Sequence, residues 1–327
     1  MDTFLQQVIN GLTAGSVYAV IALGYTMVYG IIQLINFAHG EVVMIGAMVA
    51  FTVINALAPF GLPALAVVLI GAGCAVAVCM LVGYSMERLA YRPLRGAPRL
   101  APLITAIGVS IILQHFALMI WSRNILAFPQ IIESHTYFVG GAAITSVQIA
   151  ILAICLALMS ALAWLVYRTP LGTAMRATAQ NPQVAGLMGI DVNRVIAATF
   201  IIGAGLGAVA GVLFGTYYGL AQYTMGSILG LKAFSAAVLG GIGNIPGAML
   251  GGVLLGLVEA LGAGYIGDFT DLCQYGWLAG SIDACADGGH FILAGSNYQD
   301  VFAFLVLILV LVLRPQGLLG ERVGDRT

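Results

Sequence analysis

The chain opens with the uncharged stretch TFLQQVINGLTAGSVYAVIALGYTMVYGIIQLINFA (residues 3–38), which contains no Asp, Glu, Lys or Arg. A helix needs about 20 apolar residues to cross the hydrocarbon core of a bilayer, so this stretch exceeds one span. It predicts one long or broken helix from residue 4 to about residue 32. No positively charged segment precedes it, so we expect it to be retained as a span rather than cleaved as a signal peptide.

The composition of the whole chain is that of a membrane protein. Of its 327 residues, 61% are hydrophobic and 8% are charged, whereas soluble domains carry about a quarter charged residues. We therefore predict an all-α polytopic membrane protein, a single membrane domain over residues 1–327. We expect about 8–10 transmembrane helices with broken or re-entrant segments. The net charge of −1 gives no electrostatic footprint for nucleic acid.

Further apolar segments divide the rest of the chain. The predicted spans after the first are 37–57, 64–86, 101–121, 147–166, a span that starts after Arg194, and 301–313. Between residues 226 and 249, the glycine-rich sequence predicts two short passes with a bend. Residues 87–99 carry four arginines and two prolines, which predict a short, basic, non-helical loop.

The basic residues predict the orientation of the chain. Ten of the twelve fall in three segments, 88–99, 168–194 and 314–326, and the positive-inside rule places all three in the cytoplasm. Residues 264–300 carry five aspartates and no Lys or Arg, so we expect a periplasmic loop there. The N-terminus is then outside, with about nine crossings. We expect a multi-pass membrane protein.

Two of the five cysteines lie in the expected periplasmic loop. Cys273 and Cys285 are twelve residues apart, and an oxidising compartment favours a disulfide between them, with two free thiols as the alternative. Cys74, Cys79 and Cys155 fall in apolar segments and are expected to be core residues. No Cys and His spacing fits a metal site.

The longest polar interruption with basic residues is YRTPLGTAMRATAQNPQVAGLMGIDVNR (residues 167–194). Thr169 can cap a helix that has Pro170 at its first position. Asn181 can end that helix and cap a second one, and Gly189 suits the left-handed conformation that follows a helix C-terminus. We predict two short cytoplasmic helices hinged at Asn181. They are either a docking site for a partner or an ordered loop without one.

Small residues recur at helical spacing in two places. Four-residue steps separate the glycines of the first stripe and the small residues of the second: Gly203, Gly207, Gly211, Gly215 and Gly219, then Ala248, Gly252, Gly256, Ala260 and Gly264. Helices in lipid associate by close backbone packing, so we interpret both stripes as helix contacts rather than substrate contacts.

No catalytic motif is present, and we expect neither an enzyme nor a cofactor. The only lysine, Lys232, lies in Leu-Lys-Ala and not in a Walker A motif. Ionisable residues at membrane depth are few: Glu41, Glu87, Lys232 and Glu259. That number is small for an ion-coupled carrier. A pore that receives its energy from a partner fits better, and a carrier or channel that acts alone is the alternative.

Five motifs resemble one family of membrane proteins, the LivH-type permease subunits of branched-chain amino acid ABC transporters. The matching segments cover nearly the whole chain: NGLTAGSVYAVIALGYTMVYGIIQLINFAHGE (10–41), PLITAIGVSIILQ (102–114), GTAMRATAQNPQVAGLMGIDVNRV (172–195), KAFSAAVLGGIGNIPGAMLGG (232–252) and RPQGLLG (314–320). Residues 264–300 depart from the family pattern, being longer and carrying two cysteines.

The resemblance implies a heteromeric ATP-driven importer of the bacterial inner (cytoplasmic) membrane. Its other parts would be a homologous second permease similar to LivM, two ATP-binding subunits similar to LivG and LivF, and a periplasmic substrate-binding protein. The implied cargo is leucine, isoleucine or valine, and similar permeases serve urea or short-chain amides. The family's coupling region against the ATP-binding subunits corresponds here to Ala177, Asn181, Ala185 and Gly189.

The sequence thus yields two sets of candidate functional residues. The ATPase-coupling set is Arg176, Ala177, Asn181, Pro182, Ala185 and Gly189. The translocation-path set is Tyr25, Tyr29, Asn36, His39, Glu41, Tyr217 and Gln222. Broken helices expose polar groups at membrane depth only where they line a cavity. The alternative is that the first five satisfy one another in a helix junction, and that Tyr217 and Gln222 anchor the chain at the membrane surface.

The disulfide can be tested by mass spectrometry. We expect that alkylation of the denatured, unreduced protein leaves Cys273 and Cys285 unmodified, and that reduction before alkylation labels both. Cys74, Cys79 and Cys155 serve as internal controls, because they should be alkylated in both samples. Equal labelling of all five cysteines without reductant would contradict the bridge.

Overall fold

The computed structural model describes residues 2–98, 100–131, 134–270, 299–314 and 316–320. This part of the chain is built from eleven α-helices: α1 (Asp2–Ile32), α2 (His39–Leu57), α3 (Ala64–Ser85), α4 (Leu100–Ile120), α5 (Ser146–Arg168), α6 (Pro170–Gln180), α7 (Pro182–Leu187), α8 (Val192–Tyr218), α9 (Met225–Gly240), α10 (Ile245–Thr270) and α11 (Gln299–Leu313). Four short strands accompany them: β1 (Leu126–Ala127), β2 (Thr136–Val139), β3 (Ala142–Thr145) and β4 (Leu220–Ala221).

The all-α polytopic class is confirmed. Within the described ranges, seven helices are long and apolar enough to cross a membrane, namely α1 to α5, α8 and α10. The helix α9 and the apolar part of α11 are shorter apolar segments. The four strands form two small antiparallel pairs, β1 with β4 and β2 with β3. The sequence analysis did not predict the β2–β3 hairpin.

The helix α1, which has no charged residue after Asp2, is the centre of the bundle. It packs against α5, α8, α9 and α10, and its core residues are almost completely buried. A Cβ atom placed on Gly11 would lie 2.8 Å from the Cα of Leu257, and one on Gly15 would lie 2.8 Å from the carbonyl oxygen of Val253. The two backbones therefore touch, which in lipid is a main source of helix association.

The second stripe of small residues, from Ala248 to Gly264, forms the α10 side of the contact with α1. Gly252 packs against Ala19, Gly256 against Gly15, and Gly264 against Gln7. All three lie on α10, which is one continuous helix from Ile245 to Thr270. The prediction of two short passes between residues 226 and 249 is therefore wrong for the second pass. Only α9 is short, and the helix also continues beyond Gly264, where the periplasmic loop was expected to begin.

The chain breaks between α1 and α2. The helix α1 is unbroken up to Ile32, and Gln33 then adopts a left-handed conformation with φ of 51°. The next helix begins at His39, whose ring fills the space beside Gly24 and Gly207. Gly24 lies eight residues before the end of α1, which is about 12 Å along the axis. The N-terminus of α2 therefore lies inside the bundle, as a broken or re-entrant segment requires.

The described parts of the three basic segments, residues 88–98, 168–194, 314 and 316–320, lie at the same end of the bundle. Arg95 donates a hydrogen bond to Asn193 at the start of α8, at 2.5 Å. The backbone amide of Leu318 donates to Leu239 at the end of α9. At the opposite end, Gln6 near the N-terminus accepts a hydrogen bond from the backbone of Ala143. The shared end agrees with the predicted topology, and its assignment to the cytoplasm stays a prediction.

The basic loop after α3 differs from the prediction. Residues 87–99 were expected to be non-helical, but a π-helical turn covers Met86–Tyr91 and a 3₁₀ turn covers Arg92–Leu94. The first proline, Pro93, falls in the first turn of that 3₁₀ segment, where a missing amide hydrogen removes no helical bond. Helical structure therefore continues without a break from α3 to Leu94.

The predictions for Gly219 and for the cysteines can also be compared with the structure. Gly219 was expected to be the fifth member of the first glycine stripe, but it ends α8 as a left-handed cap with φ of 69°. Cys273 and Cys285 lie outside the described residues, so their pairing stays a prediction. Cys79 and Cys155 are buried free thiols, whereas Cys74 is exposed on α3.

We predict that Gly256→Val destabilises the protein, because the new side chain would overlap the backbone of Gly15 and lie against the carbonyl oxygen of Gly11. Overpacking of this kind lowers the free energy of unfolding by about 1–3 kcal/mol. The melting temperature of the purified protein in detergent measures the effect. Gly73→Val is the matched control, because Gly73 has no neighbour within 4 Å of an added Cβ. Equal melting of the two variants would contradict the packing role.

Candidate functional site

The predicted pair of short helices is present at the basic end of the bundle. We call residues 169–189, which contain α6 and α7, the elbow. The Thr169 side chain accepts a hydrogen bond from the amide of Gly172 at 3.1 Å. The Asn181 side chain accepts from the amides of Gln183 and Val184 at 3.0 and 3.1 Å. These caps fix where each helix starts.

The end of the elbow also follows the prediction. Gly189 has φ of 85°, a conformation that strains any residue with a Cβ atom. The amide of Ile190 then bonds to the carbonyl oxygen of Ala185, which is a typical helix C-terminal closure. The connection to α8 is completed by Asp191, whose side chain caps that helix.

Buried side chains pack the elbow against the bundle. Met175, Thr178 and Ala185 are buried, and a guanidinium nitrogen of Arg176 donates to the carbonyl oxygen of Val166 at the end of α5. Ala185 was predicted to belong to the set that couples to the ATP-binding subunits. The structure instead turns Ala185 toward the protein's own bundle, so it cannot form that contact in this conformation.

The outward face of the elbow is apolar. Val184, Leu187 and Met188 are exposed, Leu187 to 86% and Met188 to 79%. The predicted residues Asn181, Pro182 and Gly189 are exposed beside them, and Ala177 is half-buried. The sequence analysis did not single out the three apolar residues. The signal was available, since 184, 187 and 188 have the i, i+3, i+4 spacing of one helix face.

The second set of candidates gathers around the N-terminus of α2. The rings of Tyr25 and His39 meet edge to face with their centroids 4.9 Å apart. The Asn36 side chain accepts hydrogen bonds from the Tyr91 hydroxyl at 2.7 Å and from the amide of Ala38 at 3.2 Å. Asn36 thus holds the break in place, which matches the helix-junction alternative for this residue.

Glu41 lies at the centre of this group, in the first turn of α2. It is 1% exposed. Its Oε1 accepts hydrogen bonds from Ser227 of α9 at 2.9 Å and from Ser110 of α4 at 3.2 Å. The side-chain amide of Gln114 donates a hydrogen bond to the Ser227 hydroxyl at 3.3 Å. Sequence reasoning missed Ser110, Gln114 and Ser227, because single hydroxyl and amide residues in three distant segments give no pattern.

Tyr29 connects this group to the basic end. It lines an apolar recess together with Tyr25 and Phe234, and it also lines a polar cavity of about 230 Å³ with Gln33 and Arg95. Partial burial lowers the pKa of the Arg95 guanidinium, and the neighbouring Glu87 carboxylate opposes that shift. The cavity opens at the end that carries the basic segments.

Tyr217 and Gln222 do not belong to this group. Tyr217 lies in the last turn of α8, with its ring 4.9 Å from that of Tyr218, and Gln222 lies in the connection between β4 and α9. Both are at the opposite end of α8 from the elbow. The structure therefore divides the predicted translocation-path set into five residues at or before the α1–α2 break and two near the end of the bundle opposite the elbow.

Four glycines of the first stripe pack α8 onto its neighbours. An added Cβ on Gly203 would lie 3.6 Å from Gly24, and one on Gly207 would lie 3.4 Å from His39. Gly211 lies against the backbone of α2, and Gly215 lies against the ring of Phe128. The contact moves from α1 to α2 along the helix because four residues exceed one helical turn of 3.6.

A buried ion cluster links four helices. The Lys232 ammonium lies 2.8 Å from the Glu259 carboxylate and 2.6 Å from that of Asp300. The Tyr18 hydroxyl lies 3.4 Å from Glu259. The side chains of Lys232 and Glu259 are each 7% exposed. The only lysine thus joins α9, α10 and α11 beside α1, a pairing that sequence spacing did not reveal.

Fold and site together define a polytopic membrane protein with polar side chains at the break between α1 and α2 and an elbow with exposed apolar side chains at its basic end. The family model described as "Branched-chain amino acid transport system / permease component" matches residues 7–311. The chain therefore belongs to this permease family, and the resemblance inferred from the motifs is confirmed.

Several relatives match over almost their full length. The permease protein BraD of the high-affinity branched-chain amino acid transport system of Pseudomonas aeruginosa is 46% identical over 97% of this chain and 96% of its own. The corresponding permease protein LivH of Escherichia coli is 44% identical with the same coverage. A probable LivH of Methanocaldococcus jannaschii is 27% identical over 92% of this chain and 87% of its own. No solved structure matches the chain.

The ion cluster can be tested by two substitutions of unequal severity. We expect Lys232→Met to lower the free energy of unfolding by about 3–5 kcal/mol, because it leaves two carboxylates without their shared cation. Glu259→Gln should have a smaller effect, since Lys232 keeps Asp300 as its partner. Melting temperatures in detergent measure both. A larger loss for Glu259→Gln than for Lys232→Met would contradict this assignment of the charges.

Proposed function

We propose that the protein is the transmembrane permease subunit of an ATP-driven importer of branched-chain amino acids. The names of its relatives support leucine, isoleucine and valine as cargo. The subunit itself is non-catalytic. ATP hydrolysis takes place in two ATP-binding subunits, and a homologous second permease completes the translocation path. A periplasmic binding protein delivers the cargo to the outer face of the permease pair.

One observation carries the proposal: the elbow presents three exposed apolar side chains at the basic end, outside the apolar spans. Val184, Leu187 and Met188 cannot be explained by lipid contact, because the segment around them is polar and bears arginines. Exposed apolar residues clustered on one face mark protein interaction sites. The positive-inside rule gives this face to the cytoplasm, which is where an ATP-binding subunit would dock.

The way the elbow is held supports transmission of movement. Its caps make α6 and α7 short rigid helices, and Met175, Thr178 and Ala185 anchor them to the bundle. Arg176 adds a hydrogen bond to the end of α5. A docked partner that moves would therefore carry the ends of the spans with it, as a rigid-body change of the kind that transporters use.

We expect the double substitution Leu187→Ala and Met188→Ala to reduce uptake of radiolabelled leucine about tenfold in proteoliposomes that contain the assembled transporter. The reason is that interface energy concentrates in a few central apolar residues. Binding-protein-stimulated ATP hydrolysis should fall in parallel, while the affinity of the binding protein for leucine stays the same. Asn181→Ala should act in the same direction, because it removes the cap of α7.

Leu89→Ala is the matched control, since Leu89 is 76% exposed at the same end of the protein but lies outside the elbow. Melting temperatures of all variants should remain close to that of the wild type. Normal coupled uptake by the double variant would contradict the docking role. Leucine transport by this chain alone, without any ATP-binding subunit, would contradict the importer itself.

A further inference from the structure

The carboxylate of Glu41 is buried but only half satisfied. Its Oε1 accepts hydrogen bonds from the hydroxyls of Ser110 and Ser227. Its Oε2 has no hydrogen-bond partner among the residues that the structure describes. The ion pairs found in those residues involve Glu87, Asp191, Glu259 and Asp300 as the acids, and Glu41 is not one of them.

Such a carboxylate is costly at membrane depth. Acidic residues inside a membrane domain are rare, face the interior or a path, and mark function. The N-terminus of α2 offsets part of the charge, because the first turn of a helix carries partial positive charge. One oxygen nevertheless remains free to accept hydrogen bonds from a donor that is not part of this chain.

In this structure Oε2 is buried, and Gly226 of α9 lies against it, since a Cβ atom placed on Gly226 would lie 2.4 Å from that oxygen. A ligand can therefore reach Oε2 only when α9 moves away from the start of α2. Three polar side chains lie near the carboxylate on the face formed by α4 and α9: Ser227, which is exposed on α9, and Ser110 and Gln114 on α4.

The chemistry of the site selects the class of ligand. A carboxylate oxygen without a partner binds best to a hydrogen-bond donor with positive charge. A charge-assisted hydrogen bond from an ammonium group is about twice as strong as a neutral one. Aromatic rings continue the same face toward the basic end: Phe234 lies 5.7 Å from Phe37 and 6.2 Å from Tyr25, centroid to centroid. An aliphatic side chain would pack well against these rings.

We propose that Glu41 binds the α-ammonium group of the cargo amino acid during its passage, with Ser110 and Ser227 holding the carboxylate in position. This inference rests on the proposed import of branched-chain amino acids. It separates zwitterionic cargo from urea and simple amides, which carry no ammonium group.

The first test compares variants of the assembled transporter, reconstituted with a binding protein loaded with radiolabelled leucine. Glu41→Gln keeps the size of the side chain and an oxygen that can accept from both serines, but it loses the charge. We expect uptake to fall about tenfold, in line with the loss of one charge-assisted hydrogen bond. Binding-protein-stimulated ATP hydrolysis should be retained, and Glu41→Asp should recover part of the uptake.

Ser227→Ala is the second variant, in case Glu41→Gln assembles poorly. It should reduce uptake because it removes one of the two hydroxyls that hold the Glu41 carboxylate, whereas Ser85→Ala on α3, whose hydroxyl donates only to the carbonyl oxygen of Leu81, is its matched control. Melting temperatures report whether each complex is folded. Uptake by Glu41→Gln at half the wild-type rate or more would overturn the proposal.

A second test uses fragments of leucine on the wild-type complex without binding protein. We expect 3-methylbutylamine, which keeps the ammonium group, to raise its melting temperature, and 4-methylpentanoate, which keeps the carboxylate, to have no effect. Glu41→Gln should abolish the response. Equal protection by sodium chloride would overturn the proposal and indicate an inorganic cation site. Failure of the wild-type complex to import leucine would overturn the proposed function itself, and the inference with it.

Discussion

Backbone contact between α1 and α10 is the constraint on which the rest of the structure depends. Lipid offers no hydrophobic force to bring helices together, so close packing must replace it. Gly11, Gly15, Gly252 and Gly256 bring the two backbones into contact. The helix α1, which has no charged residue after Asp2, can therefore occupy the centre of the bundle, with α8 held on another side by Gly203.

A packed centre allows the helices to break where they do. Backbone groups at membrane depth must be satisfied within the protein, and an irregular segment is tolerated there only when protein surrounds it. The break after Ile32 meets this condition, because Asn36 and Tyr91 bond to each other and the His39 ring fills the space that two glycines leave. The result is a helix N-terminus in the interior that holds Glu41. The same packing encloses Lys232 and Glu259, while Asp300 lies at the edge of this cluster with its side chain 42% exposed.

Local signals in the sequence predicted much of this, and non-local ones did not. The caps at Thr169 and Asn181 and the turn at Gly189 depend on neighbouring residues only, so the elbow was predicted with its helix limits. The first spans follow from hydropathy. By contrast, the partners of Glu41 come from α4 and α9, and those of Lys232 from α10 and α11, which no spacing within one segment encodes. Ala185 was misjudged because a small residue suits its own bundle as well as a partner.

The elbow and the Glu41 site share α1 as a common element. Met175 and Arg176 of the elbow line a cavity with Met27 and Gly30 in the last two turns of α1. Those turns lead directly into the break that carries Asn36 and the start of α2. A shift of the elbow against the bundle must therefore displace, or be resisted by, the segment that positions Glu41. The proposed docking on the elbow and the proposed cargo binding at Glu41 would therefore act on the same few turns of helix, so that each could bias the position of the other.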